Sequence, residues 1–199
     1  MPRLRPLYIA GRAVVAGAAL VVLYVMFGRP VHAPSLVSGH VSGPPASLAR
    51  LEQLDPKTLP EVAFSDAGGG RHTLAQFKSR YVLLNLWATW CAPCVRELPA
   101  LAKLQSAMPP GGLTVVAVNV GRGSPAETLA FLKAHGASTL TGYFDPDLGL
   151  MRVFGAFGLP LSVLFDRQGR EVAHALGPAD WDDPASIAYF KSLSAHAAS

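Results

Sequence analysis

Cys91 and Cys94 are the only thiols in this 199-residue chain, and only Ala92 and Pro93 separate them. A pair at that spacing supports a short list of chemistries. Thiol–disulfide exchange needs two sulfurs and nothing else: a thiolate attacks a disulfide, and a neighbouring thiol resolves the mixed species. Structural zinc needs four ligands, and the six His residues include no His-x-x-x-His spacing to supply the missing two. Haem attachment needs His directly after the second cysteine, where this chain has Val95. A purely structural disulfide over so short a loop restrains little chain.

The surrounding sequence decides where the sulfurs stand. Tyr81-Val82-Leu83-Leu84-Asn85-Leu86-Trp87 is an apolar run that reads as a buried parallel strand. Pro93 to about Met108 has helical spacing at Val95, Leu98, Leu101, Ala102, Leu104 and Gln105. The cysteines therefore fall where a strand ends and a helix begins. Unpaired backbone N–H groups and the positive end of the helix dipole favour a thiolate there. Cys-x-x-Cys thiols so placed have pKa values lowered from about 8.5 into the range of roughly 3.5–7.5.

The chain divides into three parts. Residues 1–28 carry Arg3, Arg5 and Arg12, and Ala13 to Phe27 is apolar without a break. With Leu7 to Gly11 included and Arg12 snorkelling, the stretch is long enough to span a bilayer. It reads as a membrane anchor or a signal sequence; Pro34, just after Val31-His32-Ala33, argues against cleavage. Three Arg precede the apolar run and Arg29 follows it. Either reading exports the rest of the chain to the periplasm, and an uncleaved anchor makes it a single-pass protein of the cytoplasmic membrane. Such a compartment permits disulfide chemistry. Four of the 17 Lys and Arg fall in the first 29 residues, which hold no acid, and the remainder balance the 13 Asp and Glu. The sequence pI of 9.3 is thus no nucleic-acid footprint. Residues 29–59 are rich in Pro, Ser and Gly and read as a periplasmic tether, with a short helix over Ser47–Leu54.

Residues 60–199 read as one α/β domain. Leu59 to Phe64 predicts a first strand, Ser65 to Gly70 a turn, and Leu74 to Lys78 a helical turn. Leu113 to Val120 is a second buried strand, rich in β-branched residues. Ser124-Pro125-Ala126-Glu127 opens a helix that ends at Gly136. Tyr143 to Pro146 is extended and Leu148 to Phe154 helical. Ser162–Asp166 and Glu171–Leu176 flank a hairpin turn, and Asp183 begins a last helix. This order predicts a central mixed sheet with helices on both faces.

Trp90-Cys91-Ala92-Pro93-Cys94 at a strand-to-helix junction resembles the thioredoxin superfamily. Leu84 through Leu101, with the exported N-terminal anchor, is similar to its TlpA-like membrane-anchored branch. Thr139–Phe144 and Gly177-Pro178-Ala179-Asp180-Trp181 carry the same resemblance. It implies a thioredoxin-like fold with the branch's strand–helix insert within residues 115–145. It implies a thiol:disulfide oxidoreductase that reduces client disulfides, with Cys91 as exposed nucleophile, Cys94 as resolving thiol, and no cofactor or metal beyond the Cys91–Cys94 disulfide. Pro99 falls where the family kinks its active-site helix. Pro160 matches its cis-proline, so Leu159 would offer its backbone to an extended client beside the apolar lip of Trp90. Where thioredoxin has a buried acid on its central strand, this chain has Asn85. The TlpA-like branch has a Glu early in the active-site helix, and Glu97 matches it. Glu97 is thereby expected to handle the proton of Cys94, against the alternative of an exposed surface carboxylate.

The clients implied are a Sco-like copper chaperone and the copper-site subunit of cytochrome oxidase; the alternative is apocytochrome c before haem attachment. Re-reduction implies a transmembrane thiol reductase of the DsbD or CcdA type as electron donor. A copper-binding chaperone is the alternative of another class, since a soft Cys pair holds copper(I). His72, His135, Tyr143 and Met151 carry no signal of chemistry and read as surface or packing residues.

Overall fold

Buried apolar runs with β-branched residues form the centre of the sheet. The structure is a computed structural model that describes residues 43–196. Its strands are β1 (Glu52–Lys57), β2 (Ala63–Asp66), β3 (Arg71–Thr73), β4 (Tyr81–Trp87), β5 (Leu113–Asn119), β6 (Gly142–Phe144), β7 (Leu161–Phe165) and β8 (Glu171–Leu176). Its α-helices are α1 (Ala92–Ala107), α2 (Pro125–Ala134), α3 (Gly149–Val153) and α4 (Pro184–His196). Together the strands form one mixed sheet in the order β1-β8-β7-β4-β5-β6-β2-β3. Strand β4 runs parallel to β5 and antiparallel to β7, opposing Asn85 to Ser162 and Leu86 to Leu161.

Alternation along the two central strands sorts the core into two layers. Leu83, Trp87, Val115 and Ala117 face one side, with Leu98, Leu101 and Leu104 of α1, Leu132 of α2 and Phe190 of α4. Val82, Leu84, Leu86, Val116 and Val118 face the other, with Leu150 of α3. Helices thus cover both faces, as the element order predicts. Strand β6 lies parallel to β5 and hands the sheet on to β2, so the segment from α2 to β6 widens it. Helix α2 starts with the expected capping box, Ser124 and Glu127 each bonding the other's backbone N–H.

The N-terminal region departs from expectation. Residues 46–48 form a single 3-10 turn where a helix over Ser47–Leu54 was expected, and Glu52–Lys57 is an edge strand paired with β8. Part of the expected tether is therefore built into the sheet. Pro56 is tolerated because β1 lies at the sheet edge, and the register shifts between Gln53 and Lys57. The strand expected over Leu59–Phe64 begins only at Ala63, after Pro60, which has no N–H to donate. It then pairs with β3 around the turn that Asp66 closes by accepting from the Gly68 and Gly70 amides. The expected membrane segment, residues 1–28, lies outside the described residues. Among the described residues no helix is long and apolar enough to cross a membrane.

Candidate active site

Strand β4 ends at Trp87, and four residues later Cys91 caps the N-terminus of α1. The Cys91 amide donates to the Ala88 carbonyl at 3.1 Å, which folds the connection back on itself. The Cys94 amide donates to Cys91 Sγ at 3.3 Å. The two sulfurs form a disulfide. Cys94 is fully buried and Cys91 is 5% exposed, so of the two residues only Cys91 reaches the surface. That exposure is smaller than a sequence reading of Cys91 as exposed implies. As the capping residue, its side chain turns inward over the first helical turn, and Trp90, 71% exposed, takes the outward position. Trp87, by contrast, is wholly buried.

Glu97 is not on the helix surface. It is buried one turn beyond Cys94 on the inward side of α1. Its carboxylate accepts from Asn85 Nδ2 at 2.8 Å and from Trp181 Nε1 at 3.0 Å, and the Ala179 backbone N–H adds a third donor. Burial nevertheless outweighs these bonds and raises its pKa from 4.5 to about 7. Asn85 also donates to Ser162 Oγ at 2.9 Å, while its own Oδ1, though buried, has no partner. A protonated Glu97 would supply that missing donor if the amide reversed. Pro99, further along α1, leaves the Val95 carbonyl without its helical donor.

Across from the helix, the Leu159–Pro160 bond is cis, as the family resemblance implies. Gly177 donates its N–H to the Pro160 carbonyl at 2.8 Å, tying the end of β8 to this loop. The Leu159 side chain packs against both core layers. Its backbone enters no hydrogen bond among the described residues. The structure thus joins Cys91, Cys94, Glu97 and Asn85 in one unit, with Pro160 in the loop that enters the neighbouring strand β7. Trp181 and Ser162 are the members that a residue-by-residue reading misses. Trp181 lies 84 positions from its partner. The only sequence signal for it is the Gly177–Trp181 segment, which carries resemblance without a stated role.

The residues read as packing behave so. Tyr143 sets its ring edge against Phe64 with centroids 5.1 Å apart, and His135 stacks on Phe131 at 3.9 Å. His72 is paired with Asp66 at 2.7 Å, which lowers the Asp66 pKa and raises that of His72.

A sequence model of the Redoxin family matches residues 55–189, well over half the chain. The chain belongs to the Redoxin family. It is similar to the thiol-disulfide oxidoreductase ResA of Geobacillus thermodenitrificans (strain NG80-2), 30% identical over 122 residues, which cover 61% of this chain and 57% of the relative. With ResA of Bacillus subtilis (strain 168) it shares 31% identity over 118 residues, 59% of this chain and 65% of that one. The match thus spans less than two thirds of these relatives' length. Among solved structures, a DsbF homologue from Corynebacterium diphtheriae superposes with a TM-score of 0.60 at 26% identity, covering 70% of this chain and 91% of the other. The thioredoxin-like fold of this Redoxin domain is therefore shared with oxidoreductases of the ResA and Dsb types.

Proposed function

We propose that this protein is an exported, membrane-anchored thiol:disulfide oxidoreductase that reduces client disulfides. The observation that carries the proposal is the Cys91–Cys94 disulfide at the start of α1, with a buried Glu97 behind it. The names of the matched relatives support the same reaction class.

In the reduced protein, Cys91 is a thiolate held by the N-terminal amides of α1. It attacks one sulfur of the client disulfide; an S–S bond to the client forms, and the client's other sulfur leaves as thiolate. Cys94 then attacks Cys91, which restores the Cys91–Cys94 disulfide and releases the client dithiol. The Cys94 thiol must lose its proton in that step. Glu97, with a pKa of about 7, is balanced between accepting and holding a proton at neutral pH. Trp90 and the free backbone of Leu159 hold the client as an added strand. A transmembrane thiol reductase of the DsbD or CcdA type returns the two electrons.

The proposed clients carry a Cys pair that must be a dithiol before it binds metal or haem. The TlpA-like resemblance points to a Sco-like copper chaperone and the copper-site subunit of cytochrome oxidase. Apocytochrome c is the alternative client for the same site. A copper-holding role would use the same two sulfurs. Among the described residues no three His, Cys, Asp or Glu side chains converge on a metal position.

The test is a titration of the reduced, purified protein. Reduction of a client disulfide that vanishes in Cys91→Ser supports the proposal. Tight stoichiometric copper(I) binding without disulfide turnover refutes it.

A further inference from the structure

The sheet face opposite α1 is incompletely covered at its β1–β8 edge. A cavity of about 480 Å³ lies there, between β8 and the stretch that leads from α3 to the cis-proline. Leu54, Phe154, Phe157, Leu161 and Leu176 supply its apolar lining. Phe157 is 90% exposed and Leu176 40% exposed, so two large apolar groups at its rim stand in water. Such exposure is a driving force for burial against another apolar group.

The cavity is continuous with the cis-proline loop. Phe157 precedes Pro160 by three residues. Leu176 pairs with Leu161, and its Cδ1 lies 3.7 Å from where a β-carbon on Gly158 would stand. The next residue, Gly177, donates to the Pro160 carbonyl. Charged groups of both signs line the cavity: Asp55 and Glu171 stand there with Lys57, beside His174. Glu171 is itself paired with His174 at 3.3 Å. Nothing there selects a charged ligand.

We propose that this cavity is a specificity subsite of the client cleft, receiving a large apolar side chain of the client segment that pairs with Leu159. An extended segment advances about 3.3 Å per residue with side chains on alternate faces. A residue a few places from the client's cysteine therefore reaches the cavity. The inference rests on the reductase reading of the preceding subsection.

Two arms test it, both with the full chain in detergent micelles. The first compares kcat/KM for two ten-residue disulfide peptides that differ only in Phe or Ser at a flanking position. The wild type prefers the Phe peptide by about tenfold, through KM, and Phe157→Ser and Leu176→Asn each bring the ratio near one. Where the peptides are reduced, equal wild-type values, or a preference that both variants retain, overturn the subsite. The second arm uses a peptide with Ser for both cysteines and a photo-cross-linking benzoylphenylalanine at the flanking position. Adducts at Phe157 or Leu176 support the subsite even where neither peptide is reduced, an outcome that sinks the reductase reading alone. Adducts confined elsewhere overturn it. With benzoylphenylalanine placed at Phe157 instead, capture of a second copy or of the chain's own residues 29–42 in place of the peptide also overturns it.

Discussion

Burial disfavours the charge of Glu97 and so couples folding to pH. Its folded pKa of about 7 lies above the ordinary 4.5. The folded state therefore binds its proton more tightly than the unfolded chain does. The resulting stabilisation is complete below pH 4.5 and is lost as pH rises through 7, a change on the order of 3 kcal/mol. Glu97→Gln should remove that dependence. Urea denaturation of the oxidised protein at pH 4.5 and pH 8 is expected to show the wild type losing more stability over the interval than the variant. Equal losses would mean that Glu97 titrates normally. The sequence places Glu97 three residues beyond Cys94 and leaves its exposure open. Burial depends on Trp181 and Ala179, which arrive from a loop more than 80 positions away in the chain, 84 in the case of Trp181.

At the scale of elements, β4 and β5 are legible because both faces are buried and the apolar run is continuous. The start of α2 is legible because its capping box is local. Ser124→Ala removes a side chain that accepts the Glu127 amide at 3.2 Å and donates to Glu127 Oε2 at 2.9 Å. It should lower stability by about 1 kcal/mol, read from the urea midpoint at constant m-value, and an unchanged midpoint would show that the cap is dispensable. Strand β1 is not legible. Its residues Glu-Gln-Leu-Asp-Pro-Lys are almost all exposed, so no periodic apolar pattern marks them. Pairing with β8 makes them a strand, and that pairing exists only once the sheet is formed. The cis bond at Pro160 belongs with the same group: family resemblance points to it, whereas local sequence does not.

For the whole molecule, the sheet brings the strand-to-helix junction of residues 87–94 beside the loop at Pro160, on strands far apart in the chain but adjacent in space. In the proposed function, residues 1–28 anchor the protein in the membrane that also holds the electron donor, and exchange through Cys91 is the step on which everything else depends. The decisive measurement is trapping with Cys94→Ser in cells that make the protein natively, followed by identification of the partner by mass spectrometry. The proposed mechanism predicts a mixed disulfide through Cys91, released by reductant and abolished when Cys91→Ser is added, with a partner that carries a metal- or haem-binding Cys pair. No adduct, or an adduct that persists without Cys91, would contradict it.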